Sequence, residues 1–483
     1  MQQVQRRGPQ PSWQQGGKQA PALWLALLCY PLWLWWLGHY PLALSSDDAL
    51  NFARGIERFS VLEFRPHFPG YPAFIVLARA LQSLTASALA NVQLSLLATT
   101  LLPLAAAAVA GQLVVGAAPM KSAQRGTNAP SSVPAAQAAG VAALLLMSQP
   151  LLWAAGLSGL SDPLALLWLL LLLLAGLAQR SWLAGLLLGL LLATRPAYLP
   201  LVVSLPLWPH LLGFARPWRA LLYASAMVLL VALLSLGFVW WHDGAAYFSE
   251  GLRFSAGHFQ IWGNTSADAG GPLQQWLMSL QMGFGWPLLV AAAGLMALML
   301  LRLLRWRMAP AHSVAAYLLL LMALGYGLWM LWGQNPANLR HSLPLLLLVL
   351  ILLAVQLAGK MILWLPMVVV LILNGAQRVQ WTQPLPPLQQ ALQRFAAEPQ
   401  SQWLGSNYGV NLLTAALPQH AVVDMYYPSS QVVLAQQAHA NKSWRLSASP
   451  VASATLITEF SPRFPGERRL YLYQLSNNAE QKQ

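Results

Sequence analysis

Charged residues are scarce in this chain. Asp, Glu, Lys and Arg make up 8% of the 483 residues, whereas 57% are hydrophobic. A soluble domain usually carries about 25% charged residues, so a water-soluble globular protein is excluded. The apolar runs are long, and a helix needs about 20 apolar residues to cross the hydrocarbon core of a bilayer. The composition therefore predicts a polytopic membrane protein.

Cysteine and acidic residues are also few. The single Cys29 excludes an intrachain disulfide and argues against a thiolate metal site. Basic residues outnumber acidic ones and give a net charge of +14, which can indicate nucleic-acid binding. The Lys and Arg residues, however, are scattered singly through short loops and form no basic stripe. The positive-inside rule explains the excess, and no nucleic-acid partner is expected.

Basic residues predict which loops face the cytoplasm. Arg6, Arg7 and Lys18 precede the apolar stretch 21–38, which has the layout of an uncleaved first helix with a cytoplasmic N-terminus. The other predicted cytoplasmic loops hold Lys121 and Arg125, Arg180, Arg216 and Arg219, the cluster Arg302, Arg305 and Arg307, and Lys360. The apolar runs between them are predicted as single spans at 140–158, 162–178, 182–195, 197–212, 219–241, 274–301, 312–332, 341–358 and 361–375.

The stretch 72–117 must cross the membrane an odd number of times if these sides are right. Length alone favours two crossings, Pro103 could divide the stretch into three short spans, or part of it could lie in the interface. The fold class is therefore an all-α polytopic membrane protein with about 11 to 13 transmembrane helices. Residues 1–375 form the predicted membrane domain.

Residues 376–483 form a predicted small α/β domain outside the membrane. The segments QWLGSNYGV, HAVVDMYYP and RRLYLYQL resemble short strands, and PPLQQALQRFAAE resembles a helix. Parity of the spans places this domain on the extracytoplasmic side.

With these sides assigned, the ionisable residues gather in the external loops. They are Asp47, Asp48, Arg54, Glu57, Arg58, Glu63, Arg65 and His67, then Asp162, Arg195, His242, Asp243, Arg253, His258, Asp268, Arg340 and His341. Ionisable groups near a span are costly and are functional candidates by default.

The first external loop carries the most informative pattern. Ser45 and Ser46 can cap an amphipathic interfacial helix from Asp47 to Phe59. The proline-rich run from Arg65 to Pro72, RPHFPGYP, then leads into the next span, and its prolines can hold a side chain at a fixed depth.

These features resemble the GT-C superfamily of polyprenyl-phosphate-dependent glycosyltransferases, which includes protein O-mannosyltransferases and the aminoarabinose transferase acting on lipid A. Members have an acidic pair, a nearby aromatic residue and a later His-Pro-Pro-like run. The elements that match are Asp47, Asp48, Phe52 and the run from His67 to Pro72, with Phe68 where Pro is frequent; Ser161-Asp162-Pro163; and Asn338-Leu339-Arg340-His341, with His in place of a common Tyr.

The resemblance implies a role for each candidate. Asp47 would be the general base that takes the acceptor proton, and Asp48 would orient the acceptor or hold Asp47. Arg340, with Arg65 and Arg195 behind it, would bind the lipid phosphate. The remaining predicted substrate-binding residues are Arg54, His67, Tyr71, Asp162 and His341.

Structural alternatives stand beside these roles. The two acids could only stabilise a helix N-terminus, each Arg could extend to the lipid headgroups, His67 could satisfy a backbone carbonyl, and Asp162 could cap a helix or bind a metal. His242, Asp243 and His258 match no defined metal spacing, and a structural role is favoured. No cofactor is required, although a divalent metal remains open. The fourth external loop, WWHDGAAYF to GHFQIWGNTSADAGG, could cover the site as a lid or anchor in the interface.

The expected activity is transfer of a sugar from a polyprenyl-phosphate donor to a lipid, glycan or protein acceptor, in contact with membrane lipids. The expected location is the bacterial inner (plasma) membrane, with the C-terminal domain periplasmic or extracellular. A transporter or flippase is the alternative, although neither internal repeats nor broken helices are evident in the sequence. A non-catalytic scaffold would not need acids in the first loop. Neither the sugar nor the acceptor can be named.

Overall fold

Helices form most of the chain and a small sheet follows them. The computed structural model describes residues 20–115, 133–261, 272–304, 311–398, 402–438, 443–451 and 454–475. The helices before the sheet are α1 (Pro21–Leu37), α2 (Asp47–Glu57), α3 (Pro72–Thr85), α4 (Ala90–Val115), α5 (Val133–Met147), α6 (Pro150–Gly156), α7 (Asp162–Leu177), α8 (Ser181–Thr194), α9 (Leu199–Val202), α10 (Trp208–Leu211), α11 (Pro217–Asp243), α12 (Ala246–Ile261), α13 (Pro272–Phe284), α14 (Trp286–Leu304), α15 (Ala311–Gly333), α16 (Leu343–Leu357) and α17 (Met361–Gln377). Short 3-10 helices cover Pro196–Tyr198, Leu205–Leu207 and Leu339–Ser342.

The apolar helices agree with an integral membrane protein. In the described part of the chain, four helices are long and apolar enough to cross a membrane, or six if each of two bent helix pairs counts as one span. Further apolar helices are shorter, with 10–17 residues. The predicted 11 to 13 crossings would require these shorter helices to cross as well. That number stays a prediction.

The described part of the stretch 72–117, which ends at residue 115, contains the two helices α3 and α4. Helix α4 runs through Pro103 without interruption, so the alternative of three short spans is wrong. Helix α3 has 14 residues, and the Arg79 guanidinium on it donates to the carbonyl oxygens of Ile56 and Gly55 at 2.8 and 3.1 Å. Helix α3 is thereby tied to α2.

Three predicted single spans are broken. Helices α5 and α6 meet at 70°, and Leu273–Phe284 meets Trp286–Arg302 at 112°. The run 197–212 consists of short pieces, whose Pro residues each remove a backbone donor. Broken helices, which are not evident in the sequence, are therefore present in the structure.

The helices have two distinguishable ends. Helices α7 and α16 begin, and α8 and α17 end, close to the sheet domain, and we call this the domain-facing end. The turns that hold Arg180 and Lys360 join the same helices at the opposite end. Both bends lie at the domain-facing end: Gly375, in the last turn of α17, packs against the Ser148 carbonyl, and the Arg378 guanidinium donates to the carbonyl oxygen of Gly283 at 2.7 Å.

The C-terminal part contains a five-stranded sheet in the order β2-β1-β3-β5-β4. Strand β1 is parallel to β2 and β3, whereas β5 is antiparallel to β3 and β4. Every strand and helix predicted from the sequence here is present, and β3, β4 and two further helices were not anticipated. The elements are α18 (Pro387–Ala396), β1 (Trp403–Ser406), α19 (Val410–Ala416), β2 (Ala421–Asp424), α20 (Pro428–Ala438), β3 (Ser443–Ser447), β4 (Thr455–Phe460) and β5 (Leu470–Leu475).

Helix α2 connects the membrane helices to this domain. The Ser46 hydroxyl accepts a hydrogen bond from the Ala49 amide at 3.3 Å and caps the helix, as the sequence predicts. Leu50 is buried in the same apolar cluster as Leu388 and Leu413 of the C-terminal domain. The two acids at the start of α2 consequently lie at the junction of the two parts.

Candidate functional site

Asp48 is the centre of a charged cluster at this junction. Its Oδ2 accepts a hydrogen bond from Arg340 Nη2 at 3.0 Å, and its Oδ1 lies 3.6 Å from His67 Nδ1. His67 Nε2 is 2.8 Å from the Tyr71 hydroxyl. The structure thus brings together four residues that were predicted from different loops or from opposite ends of one loop.

The cluster determines the ionisation of Asp48. Burial would raise the pKa of this carboxyl, but the charges of His67 and Arg340 and the hydrogen bond from Arg340 lower it to about 2. The Asp48 side chain is 34% exposed to solvent, so a substrate can reach it. Arg340 Nε is buried and has no hydrogen-bond partner among the described residues. Asp48 therefore binds Nη2 of this guanidinium, and 26% of the Arg340 side chain remains exposed to a ligand.

Asp47 points to the C-terminal domain. Its Oδ1 accepts a hydrogen bond from the Leu412 amide in α19 at 2.9 Å. Burial raises the pKa of the Asp47 carboxyl, and the backbone amides of Leu412 and Asn411 offset part of that rise. The adjacent acids therefore face different partners, and their pKa values move in opposite directions.

A second ion pair lies behind the first. Arg195 Nε is 3.0 Å from Asp162 Oδ1, with both side chains at most 5% exposed. The Tyr198 hydroxyl donates to the same carboxylate oxygen at 3.2 Å, whereas Asp162 Oδ2 has no partner among the described residues. The charge of Arg195 also lowers the pKa of Asp48, so the two ion pairs act on one region.

The proline-rich run holds His67 and Tyr71 in place. Its Arg65-Pro66 and Phe68-Pro69 peptide bonds are cis. Tyr71 has a φ of 51°, a left-handed conformation that a bulky residue rarely adopts and that is frequent at functional sites. Phe254 of α12 stacks on the His67 ring with centroids 6.4 Å apart.

The C-terminal domain adds two residues that sequence reasoning missed. Tyr408 lies beside the cluster: burial raises the pKa of its hydroxyl to about 12, with smaller effects from Arg468, Asp48 and Arg340. The Arg468 guanidinium stands 5.8 Å from the centre of the Tyr408 ring. No sequence signal links these residues to the first loop, because a distant contact between domains leaves no spacing pattern.

Some predicted site residues lie outside the cluster. Arg65 pairs with Glu63 at 3.4 Å, with 34% of its side chain exposed. Arg54 forms the last turn of α2 and takes part in no ion pair given for the described residues. The His341 carbonyl oxygen accepts a hydrogen bond from the Tyr326 hydroxyl at 2.7 Å. The predicted substrate contacts of Arg54, Arg65 and His341 stay predictions.

One residue of the fourth external loop, Asp243, has a structural role. Asp243 accepts hydrogen bonds from the Ser60 hydroxyl at 2.8 Å and from the Val61 amide at 2.6 Å, and so anchors the turn after α2. Asp268, the side chain of His258 and residues 262–271 of the proposed lid lie outside the described residues, whereas residues 246–261 of the lid form α12. In the described part, no group of three His, Cys, Asp or Glu side chains could hold a metal ion.

Comparison with known proteins gives little further information. No protein-family model and no curated protein matches the sequence. Among solved structures, the chain is similar to ArnT from Cupriavidus metallidurans in the apo state, with 13% identity and a TM-score of 0.35, over 96% of this chain and 100% of that one. A TM-score of 0.35 is too low to support a functional inference, which therefore rests on the site residues.

Proposed function

We propose that this protein is an integral membrane glycosyltransferase, which moves a sugar from a polyprenyl-phosphate donor to an acceptor at the domain-facing end. The observation that carries the proposal is the pairing of Arg340 with Asp48 beside a second carboxylate of different pKa, Asp47. A phosphate-binding cation and a separate base are the two groups that such a transfer requires.

Arg340 is the proposed ligand of the donor phosphate. Its side chain is 26% exposed, and a guanidinium can offer two parallel N–H donors to phosphate oxygens. Asp48 accepts a hydrogen bond from Nη2 of the same guanidinium at 3.0 Å. The arrangement supports Asp48 as a positioning residue for Arg340.

Asp47 is the proposed general base. A base works best when its pKa approaches the working pH; the pKa of Asp48 lies at about 2, whereas burial raises that of Asp47. The acceptor hydroxyl oxygen attacks the anomeric carbon and Asp47 takes its proton. The bond from that carbon to the phosphate oxygen breaks, and polyprenyl phosphate leaves with the electron pair.

His67, Tyr71 and the buried pair of Asp162 and Arg195 would surround the substrate. The interaction between His67 and Tyr71 at 2.8 Å fixes the ring of His67 against Asp48. Asp162 and Arg195 are almost fully buried, so their effect on a bound phosphate would be electrostatic. The extracytoplasmic side and the inner membrane remain part of the proposal, supported by the distribution of basic residues.

Replacement of single carboxylates tests the proposal. We expect Asp47→Asn to lower transfer by about 100- to 10,000-fold, the range of general-base contributions. Glu57→Gln is the matched control, because it makes the same chemical change on the exposed face of α2. The readout is mass spectrometry of the glycans and lipids of a deletion strain that expresses each variant. Unchanged glycans with folded Asp47→Asn would overturn the assignment of the base.

The broken helices are a feature that is also typical of transporters, so the transporter alternative has to be compared with the enzyme. Transporters place such breaks near the membrane midplane, where they form the substrate site. Here both bends contact the last turn of α17 or the residue after it, at the domain-facing end. This position favours an enzyme. Movement of a fluorescent polyprenyl-phosphate lipid across proteoliposomes by the Asp47→Asn variant would favour the transporter.

A further inference from the structure

A pocket lies at the opposite end of the helices. Its cavity has a volume of about 490 Å³, and Arg180, Arg216 and Arg219 line it together with Trp182 and Tyr223. Helix α8 begins at this pocket and ends next to Arg195. At 1.5 Å per residue, the pocket is about 20 Å from the candidate site along α8. It is therefore a separate feature of the molecule.

Among the described residues, the three arginines of this pocket have no acidic partner. Each residue is exposed, and none of the ion pairs given for the described residues involves its guanidinium group. The sequence itself contains no Asp or Glu between Asp162 and Asp243. Three positive charges therefore lie in one pocket, and no acidic side chain of the described residues neutralises them.

Two helix ends increase the positive potential there. Helices α8 and α11 run parallel, because Gly185 packs against the backbone of Ala224, and Gly189 against Val231 further along both helices. Both helices begin at the pocket, and neither has a side-chain cap. Their free N–H groups and positive dipole ends add to the attraction that the guanidinium groups exert on an anion.

The rim of the pocket is apolar and aromatic. Trp182 and Tyr223, which line the pocket, are 55% and 57% exposed. Trp and Tyr are enriched at the boundary between lipid headgroups and acyl chains. A free anion in water would not need such a rim, whereas an amphiphile would bind both surfaces.

We propose that this pocket binds the phosphate headgroup of an anionic phospholipid. Arg180, Arg216 and Arg219 contact the phosphate oxygens, and Trp182 and Tyr223 contact the part of the lipid next to the headgroup. Basic pockets between membrane helices commonly bind anionic headgroups. The proposal does not depend on the activity at the domain-facing end.

Lipid binding by the full-length protein in detergent provides the test. The probes are dioleoylphosphatidylglycerol and dioleoylphosphatidylcholine, which share acyl chains and differ in headgroup charge, and inorganic phosphate as the free anion. Lipids retained in native mass spectrometry and the shift of Tm on lipid addition are measured. The variant is Arg216→Gln with Arg219→Gln. Its control is Arg302→Gln with Lys360→Gln, which removes the same charge at the same end but outside the pocket.

We expect wild type and control to retain phosphatidylglycerol in preference to phosphatidylcholine, and the pocket variant to bind it about thirtyfold more weakly. Arg219→Gln alone, expected to weaken binding about fivefold, serves if the double variant does not fold. Equal binding by pocket and control variants would overturn the proposal. A Tm shift with inorganic phosphate equal to that with phosphatidylglycerol would also overturn it, because the ligand would then be a free anion.

Discussion

The two ends of the membrane helices balance their arginines differently. At the domain-facing end, Arg340 binds Asp48 and Arg195 binds Asp162, with N–O distances of 3.0 Å in both pairs. At the opposite end, Arg216 and Arg219 are exposed around a pocket, and the sequence provides no acid in that region. One end is a set of fixed ion pairs, and the other is an uncompensated positive surface.

An arginine at a membrane boundary can have one of two roles, and the two ends of the helices illustrate them. An exposed arginine that orients the chain needs no protein partner, since water and lipid headgroups solvate it. A buried arginine needs a carboxylate, because an unpaired buried charge costs several kcal/mol. The presence of acids therefore identifies the end at which arginines are held inside the protein.

The largest effect is expected when one ion pair at the domain-facing end loses its acid. Asp162→Asn leaves Arg195 buried without a charge partner, and we expect the free energy of unfolding to fall by about 3–5 kcal/mol. Thermal unfolding of the full chain in detergent measures the change, with Glu57→Gln as the exposed control. Adding Arg195→Gln to Asp162→Asn removes the unpaired charge and is expected to restore part of the loss. If Asp162→Asn were as stable as wild type, the two ends would not differ in this way.

A smaller effect is expected from protonation of Asp48. The pKa of Asp48 is about 2 in the folded protein and about 3.9 in an unfolded chain. Its contribution to stability is therefore complete above about pH 5 and is lost progressively as the pH falls to about 1, below both pKa values. Unfolding midpoints of wild type and Asp48→Asn, measured between these pH values, should converge at the acidic limit. Parallel curves would show that Arg340 and His67 do not stabilise the Asp48 carboxylate.

Much of the fold could be predicted from the sequence, because membrane helices and strands leave periodic or continuous apolar patterns. The amphipathic helix after Ser46 and the strands at Leu404, Val422 and Leu472 follow from such patterns. The apolar length of the runs 140–158 and 274–301 predicted single spans and missed the bends near Ser148 and Gly285, where Pro150 and Gly285 mark the breaks.

Only part of the candidate site could be predicted from the sequence. Asp48, His67 and Arg340 could be chosen because ionisable residues are rare in this chain. Their pairing could not be predicted, since Asp48 and Arg340 are separated by 292 residues in sequence. The contact of Asp47 with the Leu412 amide could not be predicted either, because every residue type except proline has a backbone N–H and the sequence does not show which one will be the donor.

The smallest effect is expected at the opposite end. In delipidated detergent samples, Arg216→Gln with Arg219→Gln should change the free energy of unfolding by less than about 0.5 kcal/mol, the usual range for exposed sites without partners. Relief of repulsion between like charges could make the change slightly favourable. Chemical denaturation of the delipidated protein measures it. A loss above about 1 kcal/mol would mean that these guanidinium groups make stabilising contacts with other groups of the protein. The arginines at the two ends would then not differ in whether they have partners.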